Sequence, residues 1–105
     1  MFARSVSIHL RANSVAEFTR VIERDALPLL RKQKGFQDEL TFVGPSGEAV
    51  SISLWDEKRN ADSYGRKGFL EVLKALGKVA DGTPQVQTFE VCNSTFHKIA
   101  APVGL

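Results

Sequence analysis

Residues 36–55 read FQDELTFVGPSGEAVSISLW. Two alternating runs, 36–43 and 48–55, flank Gly44-Pro45-Ser46-Gly47. Glycine and proline clustered between runs rich in β-branched and aromatic residues are turn chemistry, so the stretch predicts an antiparallel hairpin. Leu40 and Phe42 share one side of its first strand, and Val50, Ile52 and Leu54 alternate with Ser51, Ser53 and Trp55 in its second.

A hairpin in mid-chain leaves the flanks to complete the sheet. On the N-terminal side, residues 2–11 (FARSVSIHLR) place Val6, Ile8 and Leu10 on one face and Ser5, Ser7, His9 and Arg11 on the other, a strand of period two. Asn13 or Ser14 caps the helix that follows, and Ser14 and Glu17 have capping-box spacing. Val15, Phe18, Ile22 and Leu29 recur as an apolar stripe. Arg31, Lys32 and Lys34 cluster where the helix dipole favours cations, and Gly35 is a natural stop. Pro28 removes a backbone donor and should kink or divide this helix near Arg24. On the C-terminal side, Asp56 caps a helical region over 57–79. Gly65 and Gly68 split it into 57–64 and 69–79, with Phe69, Val72, Leu73 and Leu76 inward. Asp81-Gly82-Thr83-Pro84 is a loop, and a last strand runs from about 85 to 96 with Phe89 and Val91 on one face.

The order is β-α-β-β-α-β, an α+β, ferredoxin-like arrangement with a four-stranded antiparallel sheet and both helices on one side. One domain spans 1–105, with 96–105 as a C-terminal tail. Val6, Ile8, Leu10, Phe42, Ile52, Leu54, Phe89 and Val91 are expected to meet the helices. Ser5, Ser7, His9, Thr41, Ser51, Ser53, Trp55, Thr88 and Cys92 then form the bare face. Small, uncharged residues suit close approach of another surface, so this face is read as a homodimer contact; a solvated serine-rich sheet is the alternative.

Composition bounds the class. A chain of 105 residues with 43% hydrophobic and 25% charged residues folds as an ordinary globular domain rather than a disordered chain. No apolar run approaches the roughly 20 residues a bilayer span needs, and residues 1–20 hold no signal-peptide core. The single cysteine, Cys92, forbids an intrachain disulfide, and a cytoplasmic location is expected. A net charge of +2 does not call for nucleic acid. Lys34-Gly35-Phe36 resembles the start of an RNA-binding motif, but Gln37, Asp38 and Glu39 follow where small and aromatic residues are needed. His9, Cys92 and His97 lack metal-ligand spacing, so no metal is expected.

The layout resembles the antibiotic biosynthesis monooxygenase family of the dimeric α+β barrel superfamily over residues 2–96. The local signals are Pro28-Leu29-Leu30-Arg31-Lys32-Gln33-Lys34-Gly35-Phe36 at a helix–strand junction and Leu54-Trp55-Asp56-Glu57 where the third strand meets the second helical region. Tyr64 and Phe69 fall where that family often has aromatics. The resemblance implies two sheets facing each other in a homodimer and a small-molecule pocket between helices and sheet. Haem-degrading relatives place Asn on the first strand and Trp and His on the second helix. Here the first strand has Ser5, Ser7 and His9, with Tyr64 near the Trp position and Leu73 or Lys74 near the His position, so haem is not expected as a substrate.

Relatives that oxidise polyphenols without a cofactor hold an electron-rich anion in a dry pocket. By that resemblance Tyr64, His9 and Trp55 are the candidate catalytic residues, with His9 as base. The split after Tyr64 and the kink at Pro28 open one end of the helix–sheet layer, so Phe18, Ile22 and Phe69 are candidate substrate-binding residues; by the resemblance Ser53 or Ser51 joins them, where those relatives carry an Asn near Trp55. Two functions follow: cofactor-independent oxidation of a small aromatic or hydrophobic molecule, or a non-enzymatic homodimeric module for ligand binding or assembly. An open pocket with convergent polar groups separates the first from the second.

Overall fold

The computed structural model describes residues 1–99. Its elements run β1 (Phe2–His9), α1 (Val15–Val21), a π-helical segment (Ile22–Ala26), α2 (Leu27–Arg31), β2 (Phe36–Val43), β3 (Glu48–Trp55), α3 (Lys58–Arg66), α4 (Gly68–Leu76) and β4 (Gln85–Glu90). The four strands form one antiparallel sheet in the order β2-β3-β1-β4. This is the expected α+β, ferredoxin-like topology. Among the described residues no helix is long and apolar enough to cross a membrane.

The hairpin forms where the turn residues stand. Gly44 N–H donates to Glu48 O at 2.7 Å, and Gly47 takes a φ of 88° that a β-carbon disfavours. The first helical stretch divides as Pro28 requires, but by a π segment that includes Arg24, leaving Pro28 in the opening turn of α2. The extra residue of a π turn rotates the helix face. Leu30 is buried in place of the expected Leu29, and Val15 is exposed. The capping box does not form: Ser14 Oγ turns to Ala12 O at 3.5 Å, while Glu17 pairs with Arg20 at 2.8 Å. The second helical region breaks at Lys67, so Gly65 lies inside α3 and Gly68 opens α4.

The sheet's faces differ from the sequence reading on three strands. Cross-strand register aligns Arg4 with Ser53 and Glu39, Val6 with Ser51 and Thr41, and Ile8 with Ala49 and Val43. Val6 and Ile8 belong to the core, so Ser51, Ser53 and Trp55 lie on the helix side as well. Thr41 and Thr88 share that side by register. Val50, Ile52 and Leu54 therefore face away, with Leu40, Phe42 and Phe89; of these Phe42, Ile52, Leu54 and Phe89 are expected from the sequence to meet the helices. A one-residue difference in facing flips every side chain of a strand, and here both sets of β3 can pack. The open face is apolar on β2 and β3, while Ser5, Ser7 and His9 of β1 lie on it as expected.

β4 is also shorter than expected and ends at Glu90. Val91 and Cys92 lie beyond its end; Cys92 is exposed. The chain then turns back, placing Phe96 and His97 beside Leu40 and Leu54, where His97 Nε2 bonds the Asp38 carboxylate.

Candidate functional site

The core lies between the open sheet's helix side and the helices, and one part of it is hollow. Phe18, Ile22, Ala26 and Leu30, four residues apart through the π segment, form the roof over Val6, Ile8 and Ala49. Tyr64 from α3 and Phe69, Val72 and Leu76 from α4 close the side. The polar lining is Arg4, Ser51, Ser53 and Tyr64. The envelope measures about 450 Å³, but the free interior is only about 30 Å³, room for one or two ordered waters.

An aromatic column forms one wall. Phe36 meets Trp55 edge-on at 5.7 Å, Trp55 stacks on Tyr64 at 5.1 Å, and Tyr64 meets Phe69 at 6.1 Å. Such geometries add to what area burial alone provides. Trp55 is fully buried, and its Nε1–H donates to Ser53 Oγ at 2.9 Å. The indole donor is therefore occupied, and Trp55 packs behind the cavity rather than reaching into it.

Arg4 completes the site. It projects from β1 toward the helices and is 7% exposed. Its guanidinium carbon sits 4.0 Å from the Phe69 ring centre and 5.4 Å from that of Tyr64. Gly65 makes room for it, since a β-carbon there would come within 3.3 Å of Arg4 Nε. Gly68 is equally confined, because a β-carbon would lie 2.9 Å from Leu29 Cδ2 and 3.0 Å from the Tyr64 ring. Burial lowers the Arg4 pKa, against the opposing pull of Tyr64 and Asp62. Burial likewise pushes the Tyr64 phenol up to about 12, with Arg4 opposing the shift and Glu39 adding to it. Tyr64 is thus a neutral hydroxyl at physiological pH, a hydrogen-bond donor and not a phenolate.

A row of polar groups crosses the sheet floor. Arg4, Ser53 and Glu39 stand side by side on β1, β3 and β2. Glu39 Oε2 accepts from both Ser51 and Thr41 at 2.5 Å.

Of the residues singled out in the sequence, Phe18, Ile22, Ser53, Tyr64 and Phe69 meet at the cavity. Trp55 supports them. His9 does not join them: it lies on the other face of the sheet, its Nδ1 2.7 Å from Glu48 and beside the Asp81–Gly82 loop. Arg4 and Glu39 had been missed. The signal for Arg4 was present, as a charged residue at the same strand parity as Val6 and Ile8. Among the described residues no group of three or more His, Cys, Asp or Glu is placed to hold a metal.

No protein-family model and no curated protein matches the sequence. Solved structures do match the fold. A protein of unknown function from Nitrosomonas europaea superposes with a TM-score of 0.75 at 14% identity, over 96% of this chain and 95% of its own. A monooxygenase from Streptomyces coelicolor, in complex with nanaomycin D, does so at 0.75 and 14%, over 92% of each chain. SnoaB, a cofactor-independent oxygenase from Streptomyces nogalater, matches at 0.71 and 20%, over 90% of this chain and 95% of its own. Chains assigned to antibiotic biosynthesis monooxygenase are also among the matches.

Proposed function

We propose that this chain, which has the fold of the antibiotic biosynthesis monooxygenases, binds a small aromatic or hydrophobic molecule in its helix–sheet cavity. Its reaction is a cofactor-independent oxidation of that molecule, carried out by a cytoplasmic homodimer. The observation that carries the reading is the convergence of Tyr64, Ser53, Ser51 and Arg4 on an apolar hollow. In such a reaction an electron-rich phenol supplies the electrons: one oxygen atom of O₂ enters the ring, which becomes a quinone, and the other leaves as water. Tyr64 serves as donor to the substrate oxygen, and Ser53 is held in place by the Trp55 indole. His9 is too far round the sheet to act as base. A carboxylate borders the cavity floor behind Ser51, that of Glu39.

The free interior of about 30 Å³ favours a second reading, a ligand-binding or assembly module without turnover. A thermal-shift screen of small phenols and hydrophobic aromatics, followed by oxygen-electrode assays of the binders, separates the two. Stabilisation with oxygen uptake supports the oxygenase; stabilisation without uptake supports the binding module. Tyr64→Phe and Phe69→Ala should each weaken the stabilisation, and a shift that survives both changes places the site elsewhere.

The homodimer forms through the open face. Leu40, Phe42 and Phe89 are 49–51% exposed there, beside the half-buried Val50, Ile52 and Leu54. A contiguous apolar sheet face of this kind suits a second copy of the same surface.

A further inference from the structure

A buried cation lines the cavity, and nothing the fold itself requires explains it. Among the described residues no carboxylate lies within ion-pair distance of Arg4. Asp62 on α3 is paired with Lys58 at 2.7 Å. Glu39 on β2 accepts from Ser51 and Thr41. Arg4 rests instead on the faces of Phe69 and Tyr64. Removing a guanidinium from water without an anion is costly, and aromatic faces offset only part of that. A leucine or methionine would fill the same place more cheaply.

We propose that the cavity is an anion site, with the Arg4 guanidinium as the carboxylate-binding group, and that its ligand is a small aromatic monocarboxylate. The inference rests on the reading of the cavity as a ligand site and specifies what enters it. Planar guanidinium and planar carboxylate match in a bidentate pair. The Tyr64 hydroxyl is a second donor beside the same space, and burial keeps it protonated. Phe18, Ile22 and Phe69 supply apolar walls that suit a ring. The free interior is too small for a ring while Arg4 lies on Phe69. Binding therefore lifts the guanidinium off Phe69, and the ligand's ring takes its place. Gly65 has no β-carbon to crowd the guanidinium from the α3 side.

Benzoate and its neutral isostere benzamide test this directly. Binding is read by thermal shift and by the fluorescence of Trp55, the chain's one tryptophan, which stacks on Tyr64. Benzoate should bind at least about tenfold more tightly than benzamide, and its advantage should vanish as pH falls through the acid's own pKa. Arg4→Gln should abolish the preference, and Arg4→Lys, which keeps the charge but loses the fork, should keep only part of it. If Arg4→Gln does not fold, the acid-to-amide ratio of the unaltered protein decides. Equal binding of acid and amide, or a preference that survives Arg4→Gln, overturns the proposal. Neutral aromatics that bind while benzoate does not overturn it too, yet leave the cavity reading standing. Absence of any aromatic binding removes the cavity reading and this proposal together.

Discussion

Tyr64 is the only tyrosine of the chain, so its ionisation can be followed alone. Its phenolate absorbance should appear near pH 12 rather than the usual 10. The consequence for stability has a definite sign. Above about pH 10 the unfolded chain loses the phenol proton while the folded chain keeps it, so unfolding is favoured. This contribution is intact below pH 10 and is lost at roughly 1.4 kcal/mol per pH unit up to about 12. Lysines titrate in the same window, so the informative quantity is the difference between the unaltered protein and Tyr64→Phe in denaturant melts. Equal slopes for the two would show that the phenol is not buried as described. At the same scale, Ser53→Arg is a cavity substitution and not an interface one. It should destabilise the fold by several kcal/mol by setting a second unpaired cation beside Arg4, and leave self-association of any folded fraction intact.

The junction between α2 and β2 depends on Gly35. Its φ of 82° is left-handed, and a β-carbon there would run into the Asp56 carboxylate and Asn60. Gly35 O also accepts from Asp56 N–H at 2.9 Å, and Asp56 Oδ1 accepts from Glu57 N–H and Asn60 Nδ2 at the start of α3. One residue thus ties the end of the first helical stretch to the beginning of the second. Gly35→Ala should cost about 1–2 kcal/mol for the left-handed backbone alone, and more because the Asp56 arrangement must open. Chemical denaturation measures this, and Gly35→Ala in an Asp56→Ala background should recover part of the loss. The π segment has the opposite character. It adds a residue to the turn ahead of Pro28 and so brings Phe18, Ile22, Ala26 and Leu30 into one line over the sheet.

For the whole molecule the proposed association runs through the open face. Six apolar side chains from β2, β3 and β4 share it, and none meets a helix. In the proposed homodimer these are the buried residues. Phe42→Asp or Ile52→Arg should convert a dimer in sedimentation to a monomer, since an unpaired charge buried at an interface costs several kcal/mol. A monomeric unaltered protein at micromolar concentration would refute the pairing. The mutations leave the cavity on the other side of the sheet untouched, so benzoate binding measured on the monomeric variants reports whether the site needs a partner.

The sequence by itself determined the element order, the hairpin at Gly44–Gly47, the division of both helical regions and part of the cavity wall, Phe18, Ile22, Ser53, Tyr64 and Phe69. These are local matters: turn residues, proline's missing donor and apolar periodicity act within a few residues. Tyr64 and Phe69 were legible because they flank the break between α3 and α4. Only the tertiary structure decided which face of β3 looks inward. Val50, Ile52 and Leu54 are the more apolar set, and a single chain's pattern assigns them to the core; the register with β1 places Ala49, Ser51, Ser53 and Trp55 there instead. Tertiary contact also turned His9 away from Tyr64 and set Arg4 beside Gly65, about 60 residues further along the chain. The physical reason is the same for both. Alternation says that two faces differ, but which one is covered depends on the partner strand and the helix above it, and those are chosen by contacts distant in sequence.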